Sequence, residues 1–426
     1  MAHSYQESLD YLYALQFFGI KLGLDNIRQL LSSVGNPQDS LRVIHIAGTN
    51  GKGSTAAALA SMFKAAGIPA GLYTSPHLHN FTERIRIDTQ QIDTAEVVAL
   101  VEELRPYAES LRATFFEVTT AMALLSFQRH GVTWAVLETG MGGRLDATNV
   151  VTPELCLLSS IALDHTEYLG TSLAAVAAEK AGILKTGVPL ISVRQTPEVT
   201  EVLRQRAVQL HVPFFQEGEA YRWTDRGSGF DFWGRTGGLE NIRPVLLGSH
   251  QRQNLSLALA AMDHLKEQGL KISFTAMKQG IENVRWPGRL EWLADGILLD
   301  GAHNAAGAKV LAGYLAQEKL NRLHLVIGCK GDKQPAELLQ QLLPFVSQVY
   351  ATRPPVDEFV PPEKLVQLAQ ESGILANRYA DPGEALAAAL KNRCPGESLL
   401  VCGSLFLVAA VRQQLLPEAD LMKIVN

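Results

Sequence analysis

A glycine-rich stretch, Gly48-Thr49-Asn50-Gly51-Lys52-Gly53-Ser54, is the first place in this 426-residue chain where residue types suggest chemistry. It follows the apolar run Arg42–Ala47 and precedes the helix-like Ser54–Ala66. Glycines there let backbone N–H groups turn inward around phosphate oxygens, Lys52 adds a charge, and a helix start adds its positive end. The strict phosphate-loop pattern fails, because position 46 is Ile and Gly53 separates Lys52 from Ser54. A second apolar run, Trp134–Leu137, ends in Glu138, a natural Mg²⁺ ligand beside nucleotide phosphates or a solvated strand-end acid. A third, Leu155–Ile161, leads to Asp164 and His165; the histidine could bind a second metal or satisfy a neighbouring carbonyl. The hydroxyls of Thr74 and Ser75 end another strand. Lys180 lies in a helical pattern that gives it only a solvated position, and Asp300, after Ile297–Leu299, could hold a ribose or cap a helix.

These residues need elements to position them. Strand-like runs at Arg42–Ala47, Ala70–Thr74, Trp134–Leu137, Leu155–Ile161 and Val188–Val193 alternate with helical patterns, which implies a parallel sheet flanked by helices. Ligands then gather at the carboxyl ends of the strands. Residues 215–245 break the rhythm with two tryptophans among glycines, which suggests a small antiparallel insert. A helix follows at Asn254–Gln268, then a Trp286-Pro287-Gly288-Arg289 turn. A second series runs Ile297–Leu299, Leu323–Ile327, Val346–Ala351 and Ser398–Val401. The expected division is residues 1–290 and 291–426.

Composition fits this organisation. Hydrophobic residues make up 47% and charged ones 19%, which excludes a disordered or coiled-coil chain. The net charge of −5 argues against a nucleic-acid binder, which needs a basic face. Met1–Asp10 is too polar for a secretory signal, and Leu399–Val411 is too short and interrupted to cross a bilayer. Cys156, Cys329, Cys394 and Cys402 form no metal-like spacing and read as reduced, buried thiols. A cytoplasmic, monomeric protein without a membrane partner is expected.

Taken together, GTNGKGS at 48–54, TSPHL at 74–78, FTERIRI at 81–87, TFFEVTTAMA at 114–123, ETGMGGRLDATN at 138–149, ALDHTEYLG at 162–170, EKAGI at 179–183, HQRQN at 250–254, PGR at 287–289 and DGAHN at 300–304 resemble the folylpolyglutamate synthase/dihydrofolate synthase family of the Mur-ligase superfamily. The resemblance runs from about Leu22 to the C-terminus. It implies an ATP-binding domain of that superfamily's phosphate-loop type, with a smaller C-terminal Rossmann-like domain completing the nucleotide and glutamate site. It also implies an ATP-dependent amide ligase: a substrate carboxylate takes the γ-phosphate of ATP, and the amine of L-glutamate displaces phosphate from the acyl phosphate. The acceptors would be dihydropteroate, reduced folates or both.

By resemblance, Thr49, Asn50, Gly51, Lys52, Gly53 and Ser54 hold ATP, with Asn254, Arg289, Asp300 and His303 as further nucleotide contacts. Ser75 and Glu138 match ligands of one Mg²⁺ and His165 a ligand of a second, while Lys180 matches a lysine that the family carbamylates into an oxygen ligand. Lys52, Glu138, His165 and Lys180 form the catalytic set. Ile20, Lys21, Leu22, Thr114, Phe115, Phe116, Glu117, Leu145, Asp146 and Ala147 match the pterin site; Phe115 and Phe116 read equally well as ordinary core. The loop 328–333 matches the family loosely. A cell-wall Mur ligase, with its extra N-terminal domain, is disfavoured by the roughly 40 residues before the phosphate-loop strand. A nucleotide-hydrolysing switch protein would need no second substrate, which the GRLDATN and DGAHN blocks suggest. ATP, glutamate and a pteroate are anions, so local charge at Lys52, Arg289 and Mg²⁺ would hold them against the net −5.

Overall fold

The computed structural model describes residues 4–15, 23–331 and 333–421. The chain divides into two compact units, Met1–Pro244 with Gln251–Val284, and Val245–His250 with Arg285–Asn426. The division falls a few residues before the turn at Pro287, and a short segment of the second unit interrupts the first.

The first unit is built on an eight-stranded sheet of order β4-β3-β2-β5-β1-β6-β7-β8. Its strands are β1 (Arg42–Ala47), β2 (Ala70–Tyr73), β3 (Ile85–Ile87), β4 (Gln90–Gln91), β5 (Trp134–Glu138), β6 (Leu155–Leu158), β7 (Leu190–Ser192) and β8 (Phe214–Gln216). All pairings are parallel except β2–β3 and β3–β4, an antiparallel edge too short to leave a period in the sequence. β1 is central, between β5 and β6, and every residue after Arg42 in it is buried. That explains its near-continuous apolar run, as in strands covered on both faces. The segments after β1, β2, β5 and β6 therefore leave neighbouring strands at one edge of the sheet.

The alanine-rich helix Lys52–Ala65 packs against Phe274–Asn283, and its small side chains let the backbones approach. A Cβ on Gly280 would lie 2.5 Å from Met62 Cα, and Ser61 Oγ donates to the Gly280 carbonyl at 2.7 Å. A large apolar core gathers Tyr73, Val118, Leu124 and Leu137 with the helices Thr94–Leu111 and Phe115–Arg129. The 215–245 segment forms a three-stranded antiparallel sheet, β9 (Arg222–Asp225), β10 (Phe230–Trp233) and β11 (Gly238–Ile242). Phe215 is not part of it, because β8 pairs with β7 in the main sheet.

The second unit carries a six-stranded sheet, β12-β13-β17-β14-β15-β16. These strands are β12 (Glu291–Leu293), β13 (Ile297–Leu299), β14 (Leu323–Ile327), β15 (Val346–Ala351), β16 (Leu375–Arg378) and β17 (Leu399–Cys402). Only β12 runs antiparallel. Cys156, Cys329 and Cys402 are buried free thiols, but Cys394 is exposed, because it lies in a turn after the helix Pro382–Asn392. No helix among the described residues is long and apolar enough to cross a membrane.

Candidate active site

The phosphate-loop candidate is shaped by two close approaches. Gly48 and Gly51 have φ of 150° and 93°. A Cβ would lie 1.9 Å from Ser159 Oγ at Gly48 and 2.2 Å from Asn254 Oδ1 at Gly51, so only glycine fits either place. The loop is stitched to the segment after β6. Thr49 N donates to the Ser160 carbonyl at 2.8 Å, Thr49 Oγ1 donates to the Ala162 carbonyl at 2.9 Å, and Ala162 N donates to Thr49 Oγ1 at 3.0 Å. Asn50 bridges to Ser160. The helix starts at Lys52, so Gly53 and Ser54 form its first turn, two residues earlier than the sequence pattern suggests. Its unbonded N–H groups make that end electropositive.

Lys52 folds back over the loop, with Nζ 3.3 Å from the Gly48 carbonyl, 3.4 Å from that of Thr49 and 3.9 Å from Glu138 Oε1. Glu138 is 4% exposed, so it is no solvated strand end. Its Oε2 accepts from Ser75 N at 3.3 Å, which joins the two acid and hydroxyl candidates. Lys180, at the last position of the helix Leu173–Lys180, is also 4% exposed, which corrects the solvated position its helical pattern gives. Its Nζ donates to the Gly48 carbonyl at 2.8 Å. Burial first, and then Lys52, lowers its pKa to about 7 against the opposing pull of Asp164 and Asp146.

His165 occupies the N-cap of the four-residue helix Thr166–Leu169 with φ 49°, and its N–H bonds Asp164 Oδ1 at 2.9 Å. Asp164, which also acts on Lys180, has as its sequence signal a second carboxylate just beyond a strand end next to the phosphate loop. Among the described residues, no three His, Cys, Asp or Glu side chains gather as a metal cage. Magnesium does not require one, since it takes few protein ligands and keeps water and phosphate oxygens.

Of the pterin set, Ile20, Lys21 and Leu22 lie outside the described residues. Thr114 and Glu117 form a capping box on the helix Phe115–Arg129: Thr114 Oγ1 accepts from Glu117 N at 3.3 Å, and Glu117 accepts from Thr114 N at 2.7 Å and Oγ1 at 2.9 Å. The cap fixes Phe115 and Phe116, both half-buried at the border of the core. Phe116 lies against Gly140, where a Cβ would meet its Cζ at 2.5 Å, so the Thr114–Glu117 turn touches the loop after Glu138. In that loop Leu145 is half-buried, and Asp146 and Ala147 are buried. Asp146 accepts from Met141 N at 2.8 Å, Thr148 N at 3.0 Å and Thr148 Oγ1 at 2.5 Å. Burial raises its pKa against these bonds. Beneath it, buried His45 on β1 contacts Thr148 Oγ1 through Nε2 at 2.8 Å.

Asn254 lies in the first unit on the helix Ser249–Glu267; its Nδ2 donates to Gln251 Oε1 at 3.2 Å. Arg289, Asp300 and His303 lie in the second unit. Asp300 clamps a turn, taking Leu290 N at 2.9 Å and Ala302 N at 2.8 Å. It caps no helix, because Asn304 performs that role for Ala305–Gln317. The Arg289 guanidinium covers Gly301, and His303 Nδ1 lies 2.8 Å from the Gly301 carbonyl oxygen.

Known proteins are similar to this chain over nearly all of its length. Residues 46–262 match the Mur ligase middle domain, and 288–405 match the Mur ligase, glutamate ligase domain. The dihydrofolate synthase/folylpolyglutamate synthase of Bacillus subtilis (strain 168) is 34% identical over 97% of this chain and 100% of its own length. The structure of E. coli FolC in complex with DHPP and ADP is 31% identical with a TM-score of 0.88, covering 97% of this chain and 98% of that one. Mycobacterium tuberculosis folylpolyglutamate synthase complexed with ADP and AMPPCP is 31% identical with a TM-score of 0.90, covering 97% and 100%.

Proposed function

The chain belongs to the folylpolyglutamate synthase/dihydrofolate synthase family of Mur ligases, and from that premise we propose that it joins L-glutamate to both dihydropteroate and reduced folates. It is an ATP-dependent amide ligase. The observation that carries the reading is the meeting of Lys52 and Lys180 on the Gly48 carbonyl, with Glu138 3.9 Å from Lys52 Nζ and bonded in turn by Ser75 N.

The reaction transfers the γ-phosphoryl group of ATP to a substrate carboxylate, and the glutamate amine then displaces phosphate to leave an amide. Negative charge spreads over the phosphoryl oxygens during transfer, so the site must meet it with preset positive groups. Backbone N–H groups at the start of the helix Lys52–Ala65 and the Lys52 ammonium supply them, and β1 and β5 fix their positions. Gly48 and Gly51 keep the loop low enough for phosphates to approach the backbone. Glu138 and the Ser75 hydroxyl, an acid and an alcohol beside a phosphate loop, would hold a Mg²⁺ arriving with the nucleotide, which would supply further neutralisation of phosphate charge. His165 suits a second ion.

Lys180 fits carbamylation. With its pKa near 7, a sizeable fraction of the amine is neutral at physiological pH and able to add CO₂ with loss of a proton. The product is an anion beside Lys52, which relieves the repulsion between two ammonium groups. The half-buried faces of Phe115 and Phe116 suit a flat pterin, with Leu145, Asp146 and Ala147 beside them. A cytoplasmic setting accords with four free cysteines.

The test mixes purified protein with ATP, Mg²⁺, L-glutamate and either dihydropteroate or a reduced folate, and follows phosphate release and product mass. Both acceptors should gain one glutamate per phosphate released. Phosphate release indifferent to either acceptor, with no amide, would point to a nucleotide-driven switch. Activity with reduced folate alone would narrow the enzyme to polyglutamate synthesis.

A further inference from the structure

Arg84 is a buried cation that the described residues leave incompletely paired. It ends the turn Phe81–Arg84 just before β3 and is 7% exposed. Its Nε donates to His77 Nδ1 at 2.8 Å, and no described residue supplies a hydrogen-bond acceptor to its terminal nitrogens. Those nitrogens are not among the atoms sealed off without a partner. The acids nearby are committed elsewhere. Glu83 takes the N–H groups of Leu78, His79 and Asn80 at 2.8–2.9 Å, and Glu138 takes Ser75 N and lies near Lys52. Because His77 Nδ1 accepts from Arg84, that histidine is neutral and offers no countercharge.

Glu138 and Glu83 still act on Arg84 through space, but a buried guanidinium whose terminal N–H groups bond no carboxylate carries a desolvation cost that a bound anion offsets. The surroundings narrow the anion. The guanidinium carbon lies 5.1 Å from the Phe115 ring centroid and 6.0 Å from that of Phe81. Tyr13 stacks on Phe115 at 5.9 Å. A polyphosphate has no use for such aromatic walls, and the phosphate loop already serves that charge. An acid carried on a flat aromatic body suits them.

The geometry points to Arg84 as the residue that receives the carboxylate of the pterin-bearing substrate, through the N–H groups of its planar fork. A carboxylate offers about four lone-pair sites, so one paired with an arginine keeps others for attack on phosphorus. This rests on the ligase reading above and adds a specificity determinant to it.

The test is equilibrium binding of dihydropteroate and of the same molecule lacking its carboxyl group, with ADP as control. It uses the wild-type chain, Arg84→Lys and Arg84→Gln. Wild type should bind the acid roughly 10- to 100-fold more tightly than the decarboxylated compound. The ratio should fall to about one in Arg84→Gln and lie between in Arg84→Lys, with ADP affinity unchanged. A wild-type ratio near one overturns the assignment without any variant, and so does a ratio that survives in Arg84→Gln. Parallel loss of both pterins and ADP in the two variants would make Arg84 a scaffold residue, and unchanged pterin binding with a raised KM for glutamate would give the cation to the other acid; either result overturns it. Wild-type protein that binds ADP but neither pterin would instead overturn the ligase reading beneath it.

Discussion

The Lys180 ammonium donates to the Gly48 carbonyl at 2.8 Å, so a helix-end lysine and the first turn of the phosphate loop share one buried hydrogen bond across 132 residues of sequence. The bond places the amine beside Lys52, and burial with that neighbour brings its pKa to about 7. Carbamylation would leave one N–H on the nitrogen and add two acceptor oxygens beside Lys52. Lys180→Ala should therefore keep ADP binding within a few fold while turnover falls about 100-fold or more. Steady-state assays alongside ADP titration check this, and labelled bicarbonate should give a carbamate carbon signal in wild type alone. Near-normal turnover in the variant would remove Lys180 from the catalytic set.

Glu138 accepts from Ser75 N and approaches Lys52, so its charge serves the loop as well as any metal. Glu138→Gln keeps the shape and removes the charge. We expect turnover to fall by about 100-fold with the melting temperature nearly unchanged, and more Mg²⁺ to be needed for half-maximal rate. A variant with the wild-type Mg²⁺ dependence would count against the metal role.

Gly51→Ala tests the approach to Asn254. The left-handed backbone alone costs an alanine about 1–2 kcal/mol, and its Cβ must also displace Asn254 Oδ1. The KM for ATP should rise at least tenfold, with that for the pterin acceptor little changed. Equal rises in both would show that the damage is not confined to the loop.

Gln195 braces the segment that stitches the loop in place. Its Oε1 accepts from Ile161 N at 3.1 Å and its Nε2 donates to the Ser159 carbonyl at 2.9 Å, on either side of Ser160. Gln195→Ala leaves a buried N–H unpaired, at roughly 1–3 kcal/mol. It should lower stability by that amount and weaken ATP more than pterin binding. Chemical denaturation and paired titrations measure the two effects.

His45 sets a pH dependence. Burial, with a smaller contribution from Lys185, lowers its pKa to about 3, and the unfolded chain has an ordinary histidine near 6.5. Between these values the unfolded state binds more protons, so stability is full above about 6.5 and drains as pH falls toward 3. The slope approaches roughly 1.4 kcal/mol per pH unit. His77, lowered to about 3 mainly by burial, acts in the same direction. Denaturation curves from pH 7 to 4 should show His45→Gln with a shallower slope than wild type; an unchanged slope would count against the assignment.

Much of this was readable in the residues themselves. β1, β13 and β14 coincide with their apolar runs, because strands buried on both faces cannot hide their composition, and β15 does so through its buried Val349–Ala351 end. The strand-end positions of Glu138 and Asp300 followed from the same runs. Lys180 was not readable, since helical periodicity assigned it to solvent and only the packing of its helix end against Gly48 buries it. Nor was the capping of Ala305–Gln317 by Asn304 rather than Asp300, which depends on where the turn reverses. Arg84 sat inside the FTERIRI block without distinction, because an unpaired charge is a property of its neighbours in space.

The stitches around the phosphate loop also set an order of assembly. Gly48 to Ser54 is a local motif, but it is held by Ala162 and Lys180, 113 and 132 residues downstream. Such distant contacts form late, because a long loop must close before they can reward it. A chain still emerging from the ribosome would carry the complete glycine sequence long before it could grip a nucleotide. Nucleotide affinity is thus a readout of the finished sheet, and an immobilised nucleotide would select folded chains from truncated ones.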